Sequence, residues 1–400
     1  MSDVTWAVPT ALALAGVLLI VAVIVLIVRA SRRSPRARAA AEAARVAAEE
    51  SLLRLDDAAN ELDIAFEASG AREAGESATA LRRSHAAILR GRDRGFSEVV
   101  ALSTSPSIPA RRCVEAQTVR VRLDALRSLA ETTRADLAEW AQTHGSPTER
   151  VQAARTRLDD TVRTAGDPTP LIAGLRERFA EEDWSDAAHA ATAATASLTA
   201  AEEALDAAQA GADPVEVDRL VVTATDATRR AARQLRAVED AHRIALQAAD
   251  NAEDELRAAR AELTAALELA TSRPDACAPD AAQRLRDAIS ELDIASADAS
   301  RRPRAAIDTV ARLREVRDEA VGEALSARRR LEAARAALPG TLACARAALA
   351  ATEARDDGES IHERLRRDQA RRELAAARAA TDAGQALANA RTAWRGARAQ

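Results

Sequence analysis

Apolar and polar positions along this chain follow three regimes. Residues Ala7 to Val28 read AVPTALALAGVLLIVAVIVLIV and carry no charge. From Ser34 onward, apolar residues recur at three- and four-residue steps between charged ones, the period of a half-buried α-helix. After Pro214 the recurrence tightens. Val217, Ala224, Ala231, Val238, Ala245, Ala252, Ala259 and Ala266 repeat every seven residues. Val221, Thr228, Leu235, His242, Ala249, Leu256, Leu263 and Ala270 form the companion series. Alternating three- and four-residue steps over that length define a coiled-coil seam. Leu246 and Leu267 lie beside it and widen the apolar stripe. A broadened stripe suits a helix with two neighbours, as in a three-helix bundle.

Punctuation is sparse, because 400 residues hold only 14 Gly and 12 Pro. Ser34-Pro35 reads as an N-cap followed by a first-turn proline. A helix is expected from there to about Ser69. Gly70 and Gly75 weaken it, and a second stretch continues to about Arg90. Further breaks are expected near 103–109, 144–147, 166–170, 211–214, 272–280, 301–303, 339–340 and 356–360, each holding Pro or Gly. The predicted organisation is a short tail at 1–6, a membrane span at 7–28, a basic segment at 29–38 and a helical region at 39–400. The fold class is all-α, with long Ala-rich antiparallel helices in coiled-coil or spectrin-like bundles.

The apolar run is long enough for a bilayer. Twenty-two residues at about 1.5 Å each span roughly 33 Å. Trp6 stands where an interfacial aromatic anchors a span. Asp3 precedes the run, no Arg does, and no cleavage motif follows, which favours an uncleaved anchor over a signal peptide. Arg29, Arg32, Arg33, Arg36 and Arg38 crowd its C-terminal side. The positive-inside rule then places the N-terminus outside and the helical region in the cytoplasm. The expected localisation is a cell membrane crossed once.

Composition agrees with helix. Hydrophobic residues make up 48% but aromatics only 2%, and alanine fills the gap at about a quarter of the chain. A sheet would need more aromatic and β-branched residues. The basic residues are all Arg, which removes lysine chemistry and the phosphate-binding loop that needs it. The absence of Lys fits a GC-rich genome. A net charge of −5, with Arg and acidic residues interspersed, disfavours nucleic acid as a partner.

Candidate chemistry is thin. Cys113, Cys277 and Cys344 are far apart and form neither a metal pair nor a disulfide framework. His85, His144, His189, His242 and His362 are scattered. Acidic neighbours such as Asp56-Asp57, Asp159-Asp160 and Glu181-Glu182-Asp183 point about 100° apart on a helix and read as solvated faces. Trp140, Trp184 and Trp394 read as plugs of bundle layers or helix ends, or, where exposed, as docking points. No catalytic, cofactor or metal residue is expected, and no small-molecule substrate is evident. The expected partners are the lipid bilayer and other proteins, or a second copy, through helical surfaces.

The run LLRLDDAANELDIAFEASG at 52–70, followed by LRRSHAAILRGRDRGF and the STSPSIP loop, resembles the helical region that follows the transmembrane segment in actinobacterial TPM-domain membrane proteins. LRSLAETTRADLAEW, AATASLTAAEEALDAAQ and AEDELRAARAEL fit that pattern in the same order, so the resemblance covers most of 40–400. The N-terminal stretch leaves no room for a TPM domain, and no functional residue is carried over. The layout is also similar to the septation-ring regulator EzrA, with an N-out anchor and cytoplasmic spectrin-like helices. These similarities imply a non-enzymatic scaffold at the cell envelope or division site. The alternatives are a helical signalling module and an enzyme with an unrecognised site, the latter marked by a deep pocket of perturbed titratable groups.

Overall fold

The computed structural model describes residues 34–354 and 360–398. Those residues form helices and connecting turns, with no strand among them. They fall into two compact units, divided after His144.

In the first unit, α1 (Pro35–Ala68) begins where Ser34 Oγ accepts a hydrogen bond from the Ala37 N–H at 3.2 Å, with Pro35 in the first turn. This start is the one that Ser34-Pro35 predicts, and it lies inside the basic segment 29–38. The helix ends at a turn where Gly70 adopts φ +74°, a conformation that suits a residue without Cβ. Next comes α2 (Thr79–Thr104), which runs past the predicted end near Arg90. Gly91 and Gly95 do not break it. They let α2 lie close on α3 (Pro109–His144): a Cβ at Gly95 would stand 2.7 Å from a Leu123 methyl, and one at Gly91 2.7 Å from a Leu126 methyl.

Ion pairs show the relative directions of these helices. Arg92 of α2 lies 3.8 Å from Asp56 of α1, and Arg122 of α3 donates to Glu98 of α2 at 2.5 Å. Arg134 of α3 pairs with Glu61 of α1, while Arg112 lies near Glu42. Thus α2 is antiparallel to both neighbours, and α1 and α3 run parallel. Leu52, Leu55, Leu62, Phe66, Ile88, Leu123 and Leu137 fill the space between them, each at most 1% exposed.

The second unit contains α4 (Pro147–Ala165), α5 (Thr169–Arg178), α6 (Ser185–Ala210), α7 (Pro214–Ser272), α8 (Ala281–Asp298), α9 (Pro303–Val321), α10 (Ala327–Ala354), α11 (Ile361–Ala379) and α12 (Ala383–Arg398). Helix α7 is the axis, roughly 88 Å long at 1.5 Å per residue. Its N-terminal half packs against α6, where Ser197 donates to Gln234, and against α4 through Arg150 and Asp218. Its C-terminal half packs against α8 through Arg260 and Asp293, and against α9 through Arg314. The seven-residue series from Val217 to Ala266 is buried throughout. In the companion series only His242 and Ala249 remain half-buried. Helices of the same chain therefore cover the seam.

One expected break is overturned. Pro339-Gly340 lies inside α10, which runs unbroken from Ala327 to Ala354. A proline inside a helix forfeits one hydrogen bond and crowds the preceding turn. Packing compensates, since Ala334 and Ala337 are buried against Leu387 of α12. The chain turns instead at Gly322–Ala324 and at 380–382, and between α5 and α6 at Glu181–Asp183. None of these turns was expected. Two lack both Gly and Pro; at 380–382 the mark is Asp382, which caps α12 by accepting from the Gln385 N–H at 2.9 Å.

Among the described residues no helix is long and apolar enough to cross a membrane. The predicted tail at 1–6, the span at 7–28 and residues 29–33 lie outside the described residues.

Candidate functional site

Two neighbouring joints build a cleft in the second unit. The link between α5 and α6 docks on the start of α9. The Ala180 N–H donates to the Arg301 carbonyl at 2.8 Å, and the Arg301 guanidinium donates back to the carbonyls of Glu177 and Arg178 at 3.4 and 3.5 Å. This places Asp183 beside the N-terminal turn of α9. There its carboxylate accepts from the Arg304 backbone N–H and lies 3.7 Å from the Arg304 side chain. Across the opening, α10 brings Pro339, Gly340 and Cys344, and α12 brings Trp394 and Arg398. Helix α7 contributes Ile244, Ala248, Asn251 and Glu255, one stripe at four- and three-residue steps lying off the seam. The cleft so formed holds about 430 Å³.

Its polar groups differ in how well they are satisfied. Asp308 accepts from the Trp394 indole N–H at 3.1 Å and from Arg398 at 2.8 Å. Burial still raises its pKa, against the opposing pull of Arg398 and Trp394. Glu255 is held by Arg314 at 2.5 Å, and Arg314 also spans to Glu262 at 3.0 Å. Asp183 is only 3% exposed. Burial pushes its pKa to about 6, although the Arg304 charge and backbone N–H act in the opposite direction. Its Oδ2 has no hydrogen-bond partner. Burial also raises the Cys344 thiol far above its ordinary range, so it presents no thiolate. At the rim, Arg346 is exposed, and its pKa is lowered by partial burial and by the charges of Arg378 and Arg243.

No family model, characterised protein or solved structure matches the chain. What the cleft can do must therefore be read from its own groups. Among the described residues there is no group of three or more His, Cys, Asp or Glu that could hold a metal ion. The arrangement suits reversible binding, with mainly apolar walls and one aromatic face.

Of the anchor residues named from sequence, Trp6, Arg29, Arg32 and Arg33 lie outside the described residues. Arg36 and Arg38 are exposed in the first turn of α1, in the first unit and on no element of the cleft. Trp394 is buried as a wall, as a plug would be, but its N–H is committed to Asp308. Trp184 is half-buried at the start of α6 beneath the Arg176 guanidinium, 4.5 Å from the ring centre. Trp140 stacks on His144 at the end of α3. The reading of Glu181-Glu182-Asp183 as a solvated face holds for the two exposed glutamates and fails for Asp183. That residue is not on a helix face at all. It closes a 3-10 turn that folds it inward.

Proposed function

We propose that the protein is a non-enzymatic, single-pass, membrane-anchored coiled-coil scaffold, with its helical region at the cytoplasmic face of a bacterial membrane. The observation that carries this reading is the uncharged run 7–28 leading through a basic flank straight into a long helix. Ser34 and Pro35 start α1 so early that Arg36 and Arg38 fall in its first turn. Cations there oppose the helix dipole at about 0.3–1 kcal/mol each. Anionic headgroups would offset that cost and hold the turn at the surface. The three parallel-and-antiparallel helices of the first unit support the spectrin-like description. Val114 and Val121, 60% and 63% exposed and one heptad apart on α3, add apolar surface for a protein partner. A place in cell-envelope or division assembly rests on the layout shared with EzrA and on the resemblance to the helical region of TPM-domain proteins.

The test is fractionation and imaging of the full chain with a C-terminal fluorescent fusion in the native bacterium. Expected are membrane association that resists carbonate extraction, a fluorescent C-terminus, and release to the soluble fraction on Leu18→Arg with Ile24→Arg. A soluble wild-type chain overturns the anchor. A fusion that accumulates but stays dark overturns the orientation. Signal gathered at septa or poles supports the division role, and uniform signal removes it.

A second reading, a regulatory module coupling the membrane to a partner, is favoured by one observation. The second unit holds a cleft of about 430 Å³, a volume in the range of small-molecule sites.

A further inference from the structure

We propose that the cleft among α7, α9, α10 and α12 binds a small organic monoanion, a carboxylate on a compact apolar body, with the Arg346 guanidinium at the rim as its anchor. This inference concerns the second unit alone and stands whether or not the chain is anchored in a membrane. It revises the expectation that no small molecule is involved.

The charges of the lining decide the sign of the ligand. Four carboxylates and three guanidinium groups line the cleft. Each carboxylate already has an arginine: Glu182 has Arg302 at 3.5 Å, Asp183 has Arg304 at 3.7 Å, Glu255 has Arg314 at 2.5 Å and Asp308 has Arg398 at 2.8 Å. A cation entering the cleft would have to displace one of them. Those pairs also engage two of the three lining arginines, Arg304 and Arg398. Arg346 is the third, and no acidic group of the described residues acts on it. The charges that reach it are those of Arg378 on α11 and Arg243 on α7, both of its own sign. Three helices thus bring positive charge to one side of the mouth. A carboxylate at Arg346 gains a charge-assisted, two-pronged pair and eases that repulsion. One unpaired guanidinium on the lining matches a single negative charge.

The rest of the cleft surrounds the apolar body. Its volume, about 430 Å³, falls in the range of small-molecule sites. Ile244, Ala248, Ile307 and Trp394 are among its walls. Cys344 adds a neutral thiol, because burial holds it protonated. Arg346 is exposed, so a ligand reaches its guanidinium from solvent without displacing a partner in the chain. The same exposure screens the pair. Burial of the apolar body therefore supplies the larger share of the affinity, and Arg346 selects the sign.

The experiment is calorimetric titration of the full chain in uncharged detergent micelles at pH 7.5 with cinnamate, and with cinnamyl alcohol and cinnamylammonium as neutral and cationic analogues. Cinnamate is expected to bind with millimolar or better affinity, about fivefold more tightly than either analogue. Arg346→Gln should weaken cinnamate about fivefold and leave the alcohol unchanged. That variant should fold as the parent does, since it removes an exposed charge that meets only like charge. Arg346→Lys keeps the charge and should recover part of the loss. Ala343→Leu fills the mouth from an exposed position of α10 and should weaken cinnamate and the alcohol alike. Added salt should narrow the gap between those two ligands. Any partition into micelles is common to all the variants. Equal affinity for cinnamate in Arg346→Gln, a preference for the ammonium or the alcohol, or no binding by any of the three overturns the proposal.

Discussion

The two units solve the same packing problem with different residues. The first closes around leucines and phenylalanines, with Gly91 and Gly95 drawing α2 onto α3. The second closes along an alanine seam. Alanine removes little apolar area from water, so each seam position contributes less than a leucine would. The second unit adds buried guanidinium clamps instead. Arg150 ties α4 to Asp218 of α7, and Arg314 and Arg317 tie α9 to Glu255 and Glu262 of the same helix. These arginines are 7%, 2% and 4% exposed. The contrast shows where binding can arise. A core of interdigitated large side chains leaves little room, whereas the alanine helices tied by charged clamps enclose a cleft of about 430 Å³.

If the clamps carry the second unit, Arg314→Ala should give the largest loss, about 3–5 kcal/mol, since it strands Glu255 at a buried junction and leaves Glu262 to Arg317 alone. Hydrogen exchange read by mass spectrometry should show protection lost in 214–321 and unchanged in 34–144. Replacing Arg314 and Glu255 together by Met and Leu should recover most of the loss, because Glu262 keeps its pair with Arg317. A small cost for Arg314→Ala alone would return the credit to the alanine seam. The matching test of the first unit is Leu123→Ala. Deleting a leucine that is 1% exposed should cost about 3 kcal/mol, with exchange rising in 34–144 only. Equal loosening of both units would mean that they do not unfold independently.

Gly95→Val sharpens the difference further. A Cβ there meets Leu123 at 2.7 Å and Leu52 at 3.1 Å, so a branched side chain forces α2 off its neighbours. Against a gain in helix propensity, the net loss should be about 1–3 kcal/mol in urea unfolding. Gly340→Val in α10 meets a looser surround, because a Cβ there would be in ordinary contact, 3.7 Å from Arg314 and 3.9 Å from Glu255. It should change stability less.

Much of this contrast is written in the sequence. Heptad spacing predicts which positions of α7 are buried, and Ser34-Pro35 marks the start of α1 with a cap and a fixed φ. Local rules fail where tertiary packing decides. Pro339 sits mid-helix because α7 and α12 hold α10 on two sides, and Gly95 marks a close approach rather than a stop. The cleft was the least legible part. Its residues come from five separate segments, and no spacing within one segment brings Asp183 to Trp394. The stripe Ile244, Ala248, Asn251 and Glu255 was the one local sign, and the stronger seam beside it masked it. Asp183 itself belonged to an acidic triplet that, on a helix, would face water.

The smallest expected effect concerns that residue, and it has the opposite sign to the others. Asp183 keeps its proton to about pH 6 in the folded chain, against an ordinary value of 3.8. The folded state therefore binds more protons than the unfolded state between those values. This contribution to stability is fully present below about pH 4 and is lost as pH rises through 6. Above pH 6 the second unit carries a desolvated carboxylate, which Arg304 and Arg302 offset only in part and Glu182 aggravates. Asp183→Asn should therefore stabilise the second unit at pH 7.5, by about 1–2 kcal/mol once solvent screening is allowed for. It should also flatten the slope of stability against pH between 4 and 6, while the first unit keeps its own profile. Stability lost at pH 7.5 would show that capping α9 matters more than desolvation. A gain at pH 7.5 would mean that the unliganded protein bears a standing cost at this position. The leucine-lined first unit holds no counterpart to it among its described residues.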